Sequence, residues 1–153
     1  METIGNSIKR VDAVAKVTGK AKFPGDFQFT DQLTMKVLFA GRPHAIIHSI
    51  NVEKAMAIPG VVTVLTAKDV PNNEYGLSIP DQPVLCGPGS NKEFADRVRF
   101  EGDQVALVVA ENEKIATQAL NAIEVEYEDL PITSTLDEAL SNDAFIIHPN
   151  LGG

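Results

Sequence analysis

The sequence predicts an α+β protein. Helix-like and strand-like segments interleave, and none of the turns between them carries the glycine-rich pattern of a doubly wound nucleotide-binding fold. The chain has 153 residues, of which 44% are hydrophobic and 22% are charged. This size suits one compact domain, because a chain of this length can bury about two-thirds of its unfolded surface. The sequence therefore predicts a core that needs no disulfide or metal to hold it together.

Charge is distributed unevenly along the chain. The formal net charge is −8, but residues 1–100 sum to +2, whereas residues 101–153 sum to −10. An acidic surface repels a phosphate backbone, so a nucleic acid is excluded as a partner. We expect the acidic third to be a solvated surface, and the alternative is a docking face for a basic neighbour.

Compartment follows from two features of the composition. Cys86 is the single cysteine, which excludes an internal disulfide and a cage of thiolates around a metal. No apolar run reaches the roughly 18–20 residues of a membrane span, and no signal-peptide pattern follows the first methionine. We therefore expect a cytoplasmic protein with no membrane contact.

The first thirty residues show neither a helical nor a strand period. Five Lys or Arg residues are interspersed with valines, and Gly19 and a Pro-Gly pair interrupt the segment. Such a stretch is typical of an arm that lies across another surface. We predict an arm over residues 1–30 whose segment Lys16–Gly19 is poorly ordered in isolation. The domain proper is predicted over residues 31–143, and residues 144–153 are predicted to begin a linker to further domains.

The first predicted elements follow the arm. Residues 34–40 contain enough β-branched and aromatic side chains for a half-buried strand, and a Gly-Arg-Pro sequence ends it. Asn51 is placed to cap a short helix over residues 52–57, which a Pro-Gly pair ends. The valines and threonines of residues 61–66 predict a second strand.

A long loop and the remaining elements complete the pattern. Residues 71–96 contain four prolines and three glycines, and a loop of this length indicates a function, an interface or disorder. Strands are predicted over residues 98–100 and 105–110, and an amphipathic helix over residues 113–122. Residues 123–127 alternate apolar and acidic side chains, as in a strand with one wet face. A short helix over residues 133–140 ends the series, and the whole predicts a mixed sheet with two main helices.

Histidines and the cysteine offer little chemistry. His44 and His48 are four apart, but Pro43 and two isoleucines disfavour the helix that would place them on one face. The third histidine, His148, is remote in sequence, so a zinc site is disfavoured. Cys86 has no neighbour in sequence that would stabilise a thiolate, which favours an inert thiol.

Other candidate motifs are incomplete. No serine lies in a Gly-x-Ser-x-Gly turn, and the Gly-Pro-Gly-Ser sequence at residues 87–90 lacks the spacing of a phosphate loop. Glu124, Glu126 and Glu128 share the wet face of a strand without the glycine of a calcium loop. The residues therefore predict no catalytic, cofactor-binding or metal-binding residue in this chain.

Ordered short motifs across most of the chain carry a resemblance to a known family. Residues 10–26 resemble the opening of the molybdenum-binding subunit of the xanthine dehydrogenase/aldehyde oxidase family. Similar stretches follow in the same order, namely Pro43-His44-Ala45, Pro59-Gly60-Val61, Leu65–Pro71, Val98-Arg99-Phe100, Gly102-Asp103, Val108–Glu111, Tyr127-Glu128 and Leu130-Pro131. The match extends over about residues 4–140. Gly41-Arg42 stands where members often have Arg-Ser, which leaves the substrate branch open.

The resemblance implies the N-terminal α/β hammerhead domain of that large subunit. Family enzymes hydroxylate heterocycles or aldehydes at a molybdopterin-bound molybdenum, and electrons leave through iron–sulfur clusters and FAD in companion domains or subunits. The segments that hold the cofactor are expected C-terminal to this domain in the same subunit. We therefore carry no catalytic or cofactor residue onto this chain.

The resemblance implies a structural domain that is inactive alone and exposes an apolar patch where its neighbours belong. A carbon monoxide dehydrogenase-type large subunit is the alternative parent. A free-standing hammerhead module that binds a partner through residues 71–96 is the second alternative.

Overall fold

The computed structural model describes residues 4–149, which fall into two compact units, Met1–Gln32 and Leu33–Gly153. The start of the predicted arm at residues 1–3 and the end of the predicted linker at residues 150–153 lie outside the described residues. We refer to the second unit as the body.

The first unit contains more regular structure than we predicted. Helix α1 spans Ala13–Val17, and a 3₁₀ turn spans Pro24–Asp26. Asp12 precedes α1 and pairs with Arg10 at 2.9 Å and with Lys16 at 2.7 Å, so the helix begins at an ion-paired carboxylate. No residue of α1 is buried. The poor order of Lys16–Gly19 in isolation stays a prediction.

The body is built from short strands and helices. In chain order they are β1 (Thr34–Phe39), β2 (Ala45–Asn51), α2 (Glu53–Met56), β3 (Val61–Leu65), β4 (Arg97–Val98), β5 (Gln104–Ala110), α3 (Glu113–Leu120), β6 (Glu124–Asp129) and α4 (Leu136–Ala139). A 3₁₀ turn over Ala67–Asp69 follows Thr66. The α+β class is confirmed, and every predicted strand and helix of the body is present with slightly different bounds.

The strands form two antiparallel sheets where we expected one mixed sheet. Sheet 1 has the order β1-β5-β3, and sheet 2 has the order β4-β2-β6. The difference arises because β2, which we did not predict, is the centre of sheet 2. It pairs with β6 along its length and with β4 at Ala45 and Ile46. Without β2, neither β4 nor β6 has a partner of its own.

One core cluster lies between sheet 1 and the helices. Ala116 and Ala119 of α3 are fully buried, and they pack with Ala55 of α2 against the strands. The sheet contributes Val64 from β3 and Ala106, Val108 and Ala110 from β5. Small residues on both sides allow the helix to approach the sheet closely.

A second core cluster joins the two sheets. It contains Ala45 and Ile47 of β2, Cys86 of the long loop, Val98 of β4 and Val105 of β5. Because Val105 belongs to this cluster and Ala106 to the other, β5 contributes side chains from both of its faces to the core. This strand is therefore the common wall of the two clusters.

The loop over residues 71–96 is held by a buried asparagine. Asn73 is fully buried, its Nδ2 donates to the Leu85 carbonyl at 2.8 Å and to Ser90 Oγ at 2.9 Å, and its Oδ1 accepts from Leu85 N at 2.9 Å. Leu85 and Cys86 are themselves part of the buried interior. One amide side chain thus provides partners for both the N–H and the C=O of Leu85.

Candidate docking surface

Sheet 1 is apolar on the face that turns away from the helices. In an antiparallel sheet, directly paired residues place their side chains on the same face. Val37 pairs with Leu107, which pairs with Leu65, and Met35 pairs with Val109, which pairs with Thr63. We call these six residues the outer face of sheet 1. Five of the six are apolar, and none belongs to either core cluster.

Exposure supports this assignment. Met35 is 62% exposed, and the other five residues of the outer face are partly exposed. The opposite face behaves differently, since Val64, Val108 and Ala110 are buried beneath helices. A sheet with apolar side chains on both faces is normally covered on both faces. The outer face of sheet 1 is therefore the candidate docking surface of the body.

Sheet 2 provides the contrast. Its outer face carries Glu124, Glu126 and Glu128, which are exposed, as the alternation in sequence predicts. Each carboxylate has a partner, namely Lys54 for Glu124, Ser49 for Glu126 and His48 for Glu128, with His48 Nε2 2.8 Å from its carboxylate oxygen. This face is wet and satisfied within the body, so of the two described sheets only sheet 1 presents an apolar outer face.

A hairpin-like turn in the long loop presents a second apolar surface. Tyr75 and Gln82 exchange backbone hydrogen bonds, and the turn between them carries Leu77, which is fully exposed, and Ile79. Gly76 is required here because a Cβ at this position would collide with the Ile79 carbonyl oxygen. The turn is therefore tight, and the side chains of Leu77 and Ile79 are exposed to solvent.

A pocket lies where residues from four separate segments meet. We call it the His44 pocket; its volume is about 390 Å³, and its walls include Pro43, His44, Arg99, Phe100, Ile132 and Ile147. His44 is only 2% exposed, and its ring stacks edge-on against Phe145 with centroids 4.9 Å apart. The His44 Nδ1 atom lies 2.6 Å from the Pro131 carbonyl oxygen.

Arg99 separates this pocket from a neighbouring one of about 360 Å³ that His148 and Asp103 help to line. Its guanidinium donates to the carbonyls of Ile147 at 3.3 Å and Arg97 at 3.4 Å. Burial lowers the pKa of Arg99 from its ordinary value, although the group stays charged at neutral pH. Burial, aided by the Arg99 charge, likewise lowers the pKa of His148.

The three histidines do not come together. His44 is buried at the start of β2, His48 pairs with Glu128 on the outer face of sheet 2, and His148 lies beside Arg99. Across residues 4–149, no group of three or more His, Cys, Asp and Glu side chains is arranged to hold a metal ion.

Cys86 is buried, with its Sγ 3.8 Å from the Arg97 carbonyl oxygen. Burial and, to a lesser extent, the Asp103 carboxylate together raise the pKa of this thiol from its ordinary 9.0 to about 12. Stability that depends on the neutral thiol is therefore complete below about pH 9. This stability is lost progressively between about pH 9 and pH 12, because the thiol of the unfolded chain ionises near pH 9 and the native thiol does so only near pH 12.

We expect Cys86 to react at least about a hundredfold more slowly with a disulfide reagent in the native chain at pH 8 than in the chain unfolded in urea, because only the thiolate is nucleophilic. The absorbance of the released thiol reports both rates. Equal rates would show that the thiol is exposed in the native state.

Among the described helices, none has the length and apolar character required to cross a membrane.

The outer face of sheet 1 was not among the residues that the sequence singled out. Its signal was the run Val105–Ala110, which is apolar at every position and lacks the alternation of a half-wet strand. The His44 pocket had no signal in sequence, since its walls come from segments around residues 43, 99, 132 and 147.

The two antiparallel sheets with their short helices place the chain in a known family of domains. The chain belongs to the family described as "aldehyde oxidase and xanthine dehydrogenase, a/b hammerhead domain", whose sequence model matches residues 18–131. The resemblance noted in the sequence is therefore confirmed, and so is the hammerhead fold.

Three comparisons show how the chain relates to larger proteins. It is 44% identical over 140 residues to a probable xanthine dehydrogenase subunit of Bacillus subtilis, covering 91% of this chain and 18% of that protein. It is 32% identical over 137 residues to the carbon monoxide dehydrogenase large chain of Hydrogenophaga pseudoflava, covering 90% and 17%. The crystal structure of the aldehyde oxidoreductase from Desulfovibrio gigas matches with a TM-score of 0.79 at 32% identity, covering 92% of this chain and 16% of that one.

The chain thus spans less than a fifth of the length of each of these proteins, and it is similar to one domain of them. It corresponds to a fragment of a molybdenum-subunit sequence of the xanthine dehydrogenase/aldehyde oxidase family. Because residues 4–149 contain no cluster of His, Cys, Asp and Glu side chains arranged to hold a metal ion, we assign none of them as a ligand of the molybdenum that this family implies. Within that part of the chain, the buried side-chain atoms without a hydrogen-bond partner are His44 Nε2 and Arg97 Nε, and we assign neither to the cofactor.

Proposed function

We propose that this chain is the assembly domain of a molybdenum hydroxylase large subunit and carries no catalytic, cofactor-binding or metal-binding residue. The observation that carries the proposal is the outer face of sheet 1, an apolar surface that neither core cluster of the body includes. Residues 1–30 serve as the arm, residues 31–143 as the domain and residues 144–153 as the start of a linker. The remaining domains of the subunit cover the outer face.

The complete protein oxidises a purine-like heterocycle or an aldehyde in the cytoplasm. Support comes from the similarity to a probable xanthine dehydrogenase subunit and to an aldehyde oxidoreductase. Molybdopterin is held by the C-terminal domains of the same subunit. Iron–sulfur and flavin companions then accept the electrons, and the hammerhead domain holds the assembly together.

Two alternatives have an observation in their favour. A carbon monoxide dehydrogenase-type parent is supported by the 32% identity to such a large chain, which is lower than the 44% to the xanthine dehydrogenase subunit. A free-standing binding module is supported by the exposed Leu77 in the turn of the long loop. The gene sequence downstream of Gly153 separates these, because cofactor-loop motifs in a continuing frame support a subunit and an immediate stop codon supports a module.

The isolated 153-residue chain is expected to fold without oxidising hypoxanthine or an aldehyde and without binding molybdopterin. Circular dichroism checks the fold, and dye reduction in the presence of each substrate checks the activity. Expression together with the product of the downstream gene segment is expected to give activity. Turnover by the chain alone would contradict the proposed assembly role.

A further inference from the structure

His44, in the wall of the pocket, carries a ring nitrogen for which the described residues provide no hydrogen-bond partner. The Pro131 carbonyl can only accept, so the hydrogen of the neutral His44 ring resides on Nδ1, 2.6 Å away. The other nitrogen, Nε2, is then an acceptor, and it is buried without a partner in the described part of the chain. Because Phe145 packs against the ring, this orientation is fixed.

Unused donors lie in the wall of the same pocket. A guanidinium offers five N–H groups, and that of Arg99 donates one from Nε and one from Nη1 to main-chain carbonyls at long distances. No carboxylate of residues 4–149 lies within ion-pair distance of Arg99. The Asp103 carboxylate accepts instead from the backbone N–H groups of Arg99 and Phe100.

We propose that the His44 pocket binds an uncharged amide group, whose N–H donates to His44 Nε2 and whose carbonyl accepts from Arg99. A carboxylate has no hydrogen to give His44, and Glu101 in the wall repels it. An ammonium has no lone pair to accept from Arg99. An amide provides both halves, an N–H donor and a carbonyl acceptor that are joined through one carbon.

The walls of the pocket indicate the size and the apolar character of the rest of the ligand. Phe100, Ile132 and Ile147 supply apolar surface, and a pocket of about 390 Å³ is large enough for a single aromatic ring with its substituent. Benzamide is therefore a suitable probe. The site is separate from the outer face of sheet 1, so the inference goes beyond the assembly role and does not depend on it.

Titration of the full ¹⁵N-labelled chain with benzamide tests the proposal by NMR. The Nε2 resonance of His44 is expected to shift in a saturable manner, whereas benzoate and benzylamine leave it in place. Arg99→Met and His44→Phe are each expected to weaken benzamide binding at least about tenfold, since each removes one of the two hydrogen bonds. His48→Phe is the matched control, because His48 lies on the outer face of sheet 2 beside Glu128. The affinity of this variant for benzamide is expected to equal that of the wild type.

The outcomes are separable even if His44→Phe does not fold, because the wild-type resonance and Arg99→Met remain informative. No shift with benzamide, equal binding of benzoate, or unchanged affinity in Arg99→Met would overturn the proposal. An acetylated Gly-Gln-Gly amide peptide identifies the source of the amide. Tighter binding of the peptide than of benzamide indicates a glutamine side chain of a neighbouring protein segment, and weaker binding indicates a free small molecule.

Discussion

Replacing Ile47 with alanine is expected to lower the free energy of unfolding by about 3–4 kcal/mol, within the range for truncating a buried isoleucine. Ile47 is 1% exposed and lies in the core cluster that joins the two sheets. Truncation leaves a cavity between β2 and the long loop that the surrounding strands can fill only in part. Urea unfolding followed by circular dichroism measures the change.

Ile46→Ala is the matched control, because Ile46 is the adjacent residue of the same strand and is only partly buried. Its side chain lies on the wet side of sheet 2, where Ile46 pairs with Glu128. We expect a loss of about 1 kcal/mol or less for this variant. Equal losses of unfolding free energy in the two variants would show that Ile46 and Ile47 do not lie on opposite faces of β2, one wet and one buried.

Asn73→Ala is expected to lower the free energy of unfolding by about 3 kcal/mol, because three buried hydrogen bonds disappear and the Leu85 backbone groups lose their partners. The long loop then loses the contact that anchors its base. Urea unfolding gives the stability, and amide exchange at Leu85 reports the local loss of protection.

The neighbouring asparagine provides the control. Asn72 is exposed and Asn73 is fully buried, so Asn72→Ala changes the same side chain one position away without removing a buried bond. Its stability is expected to stay within about 0.5 kcal/mol of the wild type. A similar stability for the two variants would mean that the loop does not depend on Asn73.

Local patterns predicted the helices of the body well, whereas helix α1 was missed. The run after Asn112 has apolar residues on one side, and the structure places α3 there, with Asn112 Oδ1 accepting from Ile115 N at 3.0 Å. Thr135 and Glu138 likewise exchange hydrogen bonds at the start of α4. Such signals are readable because the cap and the helix are within four residues of each other.

Strand β2 was missed for a physical reason. Its register with β6 shifts between Ile47 and Ser49, so the strand carries a bulge at His48. A bulge changes the phase of the alternation, and the sequence Ala-Ile-Ile-His-Ser-Ile-Asn then fits neither a strand period nor a helical one. The division into two sheets depends on this strand and was therefore out of reach.

Neither candidate surface could be assembled from the sequence alone. The outer face of sheet 1 needs the pairing of β1 with β5, whose residues are about 70 positions apart, and only then do Met35 and Val109 become neighbours. The pocket likewise joins His44 to Arg99 and Ile147. Long-range pairing of this kind leaves no periodic trace in the chain.

The central claim is that the outer face of sheet 1 packs against the rest of the subunit, and two methionines test it directly. Met35 lies on the outer face and is 62% exposed, whereas Met56 lies on α2 and is 45% exposed. Both variants, Met35→Glu and Met56→Glu, are expected to fold with unfolding midpoints close to the wild type, because neither side chain is buried. A charge in the middle of a desolvated interface is unfavourable, whereas the same charge in water is not.

The deciding measurement is the affinity of each folded variant for the product of the downstream gene segment, determined by calorimetry. We predict that Met35→Glu weakens association at least about tenfold and that Met56→Glu leaves it unchanged. Unchanged association for Met35→Glu, or equal weakening by both variants, would contradict the assignment of the outer face as the docking surface.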